Sequence, residues 1–258
     1  MLHKRGVAIE QKPIFVGVRV EHPVEVINRM RYGDKHKAAS KIGAATYSLS
    51  CNARKIGRGV FTFCMCPGGE VVNASSEEGL LVINGMSYSN RATAFSNSAI
   101  VVACNTSDYG SSDPLAGLEF QKAIERKAFL AAGGGWQAPG QNLMDFLDGA
   151  VSASLNKNSF KMGAASVDMT EVFPAFVNTA LVSAFNSWKE AYPLFVSDHA
   201  VLLGPETRTT APIRLKRNDR YESISTKNLF PIGEGSGYAG GITSSAVDAI
   251  KAVEARMW

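Results

Sequence analysis

Two thiols stand two residues apart in the run TFCMCPGG, at Cys64 and Cys66. On an extended strand, residues i and i+2 share a face, so both sulfurs are expected on one side, toward a cofactor, a substrate or the interior. A redox or covalent role needs a thiol pKa lowered by a neighbouring cation. Burial alone needs nothing of the kind, because free cysteine packs as a small hydrophobe, and both readings stand. No metal site is expected: zinc takes further ligands, and Cys51 and Cys104 fit no ligand spacing. Arg208, in ETRTTAPIR, is the third residue of interest, because a guanidinium fork binds two oxygens of a carboxylate or phosphate together. An ion pair with a neighbour such as Glu206 is its structural alternative. The histidines show no helical pairing and no G-x-S-x-G elbow is present, which argues against metalloenzyme and hydrolase chemistry. The catalytic candidates are therefore Arg208, Cys64 and Cys66.

A second feature is GEGSGYAGGI, residues 233–242. Gly235, Gly237 and Gly240 spell G-x-G-x-x-G between an expected strand at 229–232 and an expected helix at 241–256. Such glycines let backbone N–H groups approach a phosphate at a helix N-terminus. A complete dinucleotide fingerprint also needs a second strand bearing an acid about 20 residues on, and only 18 residues follow Gly240. The motif thus fails as a self-contained Rossmann unit. It suits a lid over a cofactor held mainly by something else, with Glu234 accepting from sugar-alcohol hydroxyls and the amides at 240–243 facing an electron-rich edge. A plain strand-to-helix turn is the alternative.

The elements that must position these residues follow from periodicity. A β-branched run predicts a strand at 14–20, and a short helix at 24–32 precedes a basic loop at 33–43. Short strands are expected at 46–51, 59–66, 70–73, 80–84 and 98–104, with Pro67-Gly68-Gly69 turning a hairpin between the second and third. The segment NGMSYSNR (84–91) reads as a polar loop. Helices follow at 115–132, 143–147 and 170–191, the last with Thr170 as N-cap. Strands return at 200–203, 207–215 and 229–232. The fold class is α+β: a β-rich antiparallel sheet or small barrel with a helical insertion, ended by a strand–loop–helix.

Composition limits the function classes. The 258 residues are 45% hydrophobic and 19% charged, ordinary for a folded domain. A net charge of +4 comes from 27 basic and 23 acidic residues. Arg29, Arg31, Lys35, Lys37, Lys41, Arg54, Lys55 and Arg58 face only Asp34 in that span, a patch able to attract phosphates. No RNA-binding or helix-turn-helix signature accompanies it, so nucleic acid is not the expected partner. The competing reading is a non-enzymatic β-rich binding module for an anionic or nucleic-acid partner. No signal-peptide core or membrane-length apolar run occurs, and few, irregular cysteines suit a reducing cytoplasm.

Six collinear blocks carry a resemblance: IFVGVRVEHP, TFCMCPGGEVVNASSEEG, NGMSYSNR, PLAGLEFQ, ETRTTAPIR and GEGSGYAGGI. Together they resemble a bacterial family of uncharacterised FAD-dependent dehydrogenases with two dinucleotide-binding halves, over nearly the whole chain from Ile14. The resemblance implies that 1–13 is a remnant of the cofactor domain and 14–220 the substrate side (β-rich 14–105, helical 113–192, strands 199–220). It implies that 221–258 completes the FAD-binding fold. Gly233, Glu234, Gly235, Tyr238, Gly240, Gly241 and Ile242 would then contact FAD, Glu234 near the ribityl or pyrophosphate and Gly240 to Ile242 against the pyrimidine edge. The chemistry implied is hydride transfer at flavin N5, with a nicotinamide dinucleotide as a possible electron partner. The half that grips the ADP of FAD would lie outside this chain, which alone is expected to hold flavin weakly or not at all and to be inactive.

Overall fold

The computed structural model describes residues 1–53 and 57–257. Strands β1 (Ile9–Gln11) and β2 (Ile14–Pro23) come first, and nearly all of β2 is buried, as its β-branched, apolar sequence suits. Helix α1 (Val24–Tyr32) starts directly after Pro23 and stops at Gly33. The expected loop at 33–43 is instead a 3-10 turn, Gly33–Ala38, and a short α2 (Ala39–Ile42). Next come β3 (Ser50–Ala53), β4 (Arg58–Cys66), β5 (Gly69–Asn73), β6 (Ile83–Ser87) and β7 (Phe95–Cys104). The later elements are α3 (Ala116–Ala131), β8 (Ala138–Asn142), α4 (Leu143–Asp148), β9 (Ala164–Ser166) and α5 (Ala175–Lys189). β10 (Val201–Glu206), β11 (Ile213–Leu215) and α6 (Ile242–Met257) complete the chain.

Seven strands form an open mixed sheet in the order β3-β4-β7-β2-β10-β8-β9, so the fold is α+β and not a barrel. β8 and β9 run parallel, while β4 is antiparallel to β3 and β7, and β10 to β2 and β8. The expected hairpin at Pro67-Gly68-Gly69 does not pair its own arms. β7 takes one edge of β4 out to Cys66 while β3 covers only Arg58–Phe61 on the other, and β5 pairs with β6 in a separate two-stranded sheet. NGMSYSNR is accordingly strand in its first half. The 170–191 helix starts at Ala175, because Pro174 disfavours helical geometry in the residue before it. Asp168, not Thr170, caps the turn ahead of it, accepting from the Thr170 amide at 2.8 Å. The strand expected at 207–215 shrinks to β11, and 229–232 carries no strand.

The chain divides into two compact units. One comprises Met1–Phe15, Cys104–Lys122 and Arg208–Trp258; the other comprises Val16–Ala103 and Ala123–Thr207. In the first, β1 pairs antiparallel with β11, and the Tyr109 hydroxyl donates to the Lys12 carbonyl at 2.6 Å. In the second, Phe195 stands edge-on to Tyr47 and Trp188, with centroids 5.2 and 5.9 Å away, and Phe185 meets Trp188 at 5.9 Å. Such aromatic contacts add to the area they bury.

Candidate functional site

The strand alternation of β2 places Gly17, Arg19 and Glu21 on one face and Val16, Val18 and Val20 on the other. Arg19 is wholly buried. Its Nε donates to Glu206 Oε2 at 2.7 Å and its Nη2 to Glu206 Oε1 at 3.2 Å, a two-point clamp. Nη1 donates to Asn97 Oδ1 at 2.6 Å and to the Cys64 carbonyl at 3.2 Å, and Nη2 reaches Asn84 Oδ1 at 3.2 Å. Burial disfavours the Arg19 charge, but Glu206 outweighs it through Coulomb attraction and the hydrogen bond, so the Arg19 pKa is raised. Burial pushes the Glu206 carboxyl up while Arg19 opposes it. The two-point contact at 2.7 Å favours the charged pair. Gly85 closes over this guanidinium; any Cβ there would overlap Arg19 Nη1 and Asn97 Oδ1.

The thiols meet the same cation. Between Phe63 and Cys66 the β4–β7 register slips by one residue, a bulge that re-aims the strand. Cys64 takes the left-handed conformation, φ 44°, which costs a non-glycine residue energy. Its side chain is exposed and that of Cys66 is buried, so the expected common face does not exist. The sulfurs nonetheless remain neighbours. The Cys66 thiol donates to the Cys64 carbonyl at 3.4 Å, and its Sγ lies 3.9 Å from Arg19 Nη1. The neighbouring Cys66 thiol lowers the Cys64 thiol to about 6, with burial opposing and Arg19 assisting. Cys64, then burial, push Cys66 up. Among the described residues no disulfide joins the four cysteines.

The glycine loop lies in the other unit and is built differently. Arg217 binds Asp248 with both terminal nitrogens, at 2.9 and 2.6 Å, and donates to the Pro231 carbonyl at 2.7 Å. The guanidinium also stacks on Tyr238, 3.5 Å from the ring centre, and on Tyr221 at 4.2 Å. Asp248 accepts the Gly233 amide at 2.9 Å. The Arg217 hydrogen bond, opposed by burial and helped by Gly233, holds the Asp248 carboxyl below its ordinary range. Gly237, at φ 87°, passes so close to Ile213 that a Cβ would overlap its carbonyl oxygen. Tyr238, expected at the cofactor, also donates to the Leu215 carbonyl at 2.9 Å, so its side chain braces the loop. Glu234, Gly235, Gly240 and Ile242 are exposed, and Gly233 and Gly241 half-buried.

What this loop can hold follows from what faces it. A Cβ at Gly235 would meet nothing within 4 Å, and one at Gly241 only Ser244 Oγ at 3.9 Å. The Thr210 hydroxyl is buried without a hydrogen-bond partner, while its methyl stands 3.4 Å from where a Gly240 Cβ would lie. The first amides of α6 have no acceptor one turn back. Burial lowers the nearby Lys12 ammonium, Arg214 adding to the effect and Glu234 opposing it. A helix start beside open space at Gly235 and Gly241, with the Thr210 hydroxyl near it, fits an edge carrying carbonyl oxygens or negative charge, such as that of FAD.

Comparison with known proteins decides the family. Residues 13–209 match the family described as FAD-dependent protein, C-terminal domain-like. The chain belongs to this family. An uncharacterized protein of Clostridium beijerinckii is 44% identical over 256 residues, covering 98% of this chain and 48% of that relative. The chain thus spans about half the length of the curated relative it matches. The FAD-dependent family segment takes in the complete Arg19 centre and ends before the glycine loop.

Within this family member, the structure gathers some of the expected residues and scatters others. Cys64 and Cys66 share one centre, while Gly233, Glu234, Gly235, Tyr238, Gly240, Gly241 and Ile242 form one loop of the other unit. Arg208 is exposed and belongs to that second group's unit. Glu206, weighed as its ion-pair partner, is clamped by Arg19 instead. Of the basic segment, Arg58 stacks over Phe176 at 4.1 Å, and Arg54 and Lys55 lie outside the described residues. His36 and Lys37 line an open cavity of about 490 Å³ with Arg91. Arg19 and Asn97 were not singled out by sequence, and Glu206 was weighed only beside Arg208; the available signal was an arginine inside the apolar run IFVGVRV. Among the described residues no helix is long and apolar enough to cross a membrane, and no group of three His, Cys, Asp or Glu side chains could hold a metal.

Proposed function

We propose that this chain is the C-terminal part of an FAD-dependent oxidoreductase. In this reading 1–13 belongs to the cofactor domain, 14–220 faces the substrate, and 221–258 closes over a flavin gripped by the remainder of the full-length protein. The observation that carries it is the open donor edge at Gly240 to Ile242, with the unpartnered Thr210 hydroxyl beside it, in a member of an FAD-dependent family. A bound flavin supplies hydride transfer, here exchanged with an unidentified small substrate and a nicotinamide dinucleotide. The protein's share is to bind and orient. The α6 amides and Thr210 offer donors to the flavin rim, Glu234 accepts from ribityl hydroxyls, and the Arg217–Asp248–Tyr238 brace holds the loop in place. Arg208 is the residue for an anionic group of the substrate.

Flavin content tests this. The full-length protein should purify with bound FAD that a nicotinamide dinucleotide reduces anaerobically, while the 258-residue chain retains little. Gly241→Val, which fills open space and not a packed interior, should lower FAD content in the full-length protein about tenfold, equivalent to ~1.4 kcal/mol of binding. A full-length protein that neither retains nor binds FAD overturns the reading.

A further inference from the structure

The thiol centre in the second unit has a chemistry of its own that needs no flavin. Three geometric facts define it. Cys64 is exposed on a bulge with its backbone held at φ 44°, while Cys66 is buried beside it and its thiol donates to the Cys64 carbonyl at 3.4 Å. Behind both stands a fully buried guanidinium, whose Nη1 is 3.9 Å from Cys66 Sγ and 3.2 Å from the Cys64 carbonyl. That cation cannot swing away, because Glu206, Asn97 and Asn84 fix its nitrogens. An accessible sulfur next to a second thiol, with a fixed positive charge on its own backbone carbonyl, has the surroundings that favour thiolate. A second thiol within reach is what a resolving step requires.

We propose that Cys64 and Cys66 form a thiol–disulfide exchange pair, with Cys64 the attacking thiolate and Cys66 the resolving thiol. The substrate class is a disulfide with one sulfur open to approach. The Cys64 thiolate attacks that sulfur, forming a mixed disulfide and expelling one thiolate. Cys66 then gives up its proton to the substrate-derived sulfur that leaves, and its own sulfur bonds to Cys64. The disulfide has gained two electrons and become one thiol and one thiolate; the pair has lost two and become Cys64–S–S–Cys66. Arg19 touches no reacting substrate atom and is a positioning residue, holding charge behind the nucleophile. The lowered Cys64 thiol, at about 6, agrees with this division of labour, as does the raised Cys66.

Oxidised glutathione and iodoacetamide on the full chain provide the test, with sites read by peptide mass spectrometry. Alkylation at Cys64 should rise with pH around a midpoint near 6. At pH 6 it should run about tenfold faster than an unstructured cysteine peptide, since a larger thiolate fraction is partly offset by lower nucleophilicity. With oxidised glutathione, the wild type should lose both thiols and keep no glutathione. Cys66→Ser, which retains a hydrogen-bond donor, should trap one glutathione on Cys64, and Cys64→Ser should leave Cys66 unmodified. Three results overturn the proposal: a Cys64 midpoint in the ordinary thiol range near 8.5, glutathione retained on the wild type, or Cys66 modified first. Far-UV circular dichroism confirms that each serine variant is folded.

Discussion

Each unit of this molecule is organised around an arginine clamped on a carboxylate, and the two clamps do opposite jobs. Arg19 is wholly buried with Glu206, and its remaining donors go to a carbonyl and two side-chain amides. Arg217 and Asp248 keep 10% and 12% of their side-chain surface, and the guanidinium spends its flat faces on two tyrosines. The interior clamp makes a fixed charge that neighbouring thiols feel. The peripheral clamp ties Gly233 and Tyr238 in place. Burial sets the difference: a charge withdrawn from water acts strongly over short range and tolerates no loss of partner.

The largest expected effect separates the two directly. Arg19→Met leaves Glu206 buried without its cation and should destabilise the second unit by about 3–5 kcal/mol. Arg217→Met should cost only about 1–2 kcal/mol, because water can reach Asp248. Urea denaturation of both variants decides, and equal losses would break the comparison.

Acid should separate them next. His22 is fully buried, with Nε2 2.8 Å from the Phe195 carbonyl and Nδ1 unpartnered. Burial lowers its pKa to about 4, with the Phe195 hydrogen bond opposing. The unfolded chain therefore takes up this proton before the folded one. Stability present above pH 6.5 is lost as pH falls toward 4, by about 3 kcal/mol for a shift of this size. Asp248 has its pKa depressed, so its contribution is lost only as pH falls below the ordinary carboxylate range. Hydrogen exchange at pH 7 and pH 4.5 should show the second unit opening while the Gly233 amide stays protected. Equal protection of the His22 region at both values would remove the distinction.

Glycine replacements sharpen the contrast with smaller effects. Gly85→Ala presses a methyl group onto Arg19 and should cost about 1–3 kcal/mol. Gly235→Ala meets open space and should change stability by no more than ~0.5 kcal/mol. Thermal melts of the two variants measure the difference.

Local features were the legible ones. The run IFVGVRVEHP announces β2, and the apolar stripe of Val177, Leu181, Phe185 and Trp188 announces α5. G-x-G-x-x-G marked the loop, and the Cys-x-Cys spacing marked the thiols. What resisted was pairing between distant segments. The arms around Pro67-Gly68-Gly69 look like a hairpin, yet β4 pairs with β7 as far as Cys66 and β5 pairs with β6. The bulge at Cys64 arises from that same pairing, so no window around TFCMCPGG reports that the two sulfurs differ in exposure. β1 and β9 are too short for a periodic signal, and β8, with the sequence APGQN, reads as a turn because of its proline and glycine. Arg208 drew attention as a fork for a carboxylate or phosphate, with its sequence neighbour Glu206 as the structural alternative, yet the partner that clamps Glu206 comes from β2.

That last pairing bears on how the protein is made. Arg19 and Glu206 are 187 residues apart, with Cys64, Asn84 and Asn97 supplied between them. At about 5–20 residues per second, Arg19 leaves the ribosome roughly 10–40 s before its carboxylate. Until then β2 cannot bury its charge against Glu206, and its apolar face waits with it. The exchange-prone thiols consequently emerge before the guanidinium behind them is locked, so their reactivity becomes a property of the finished unit and not of the nascent chain.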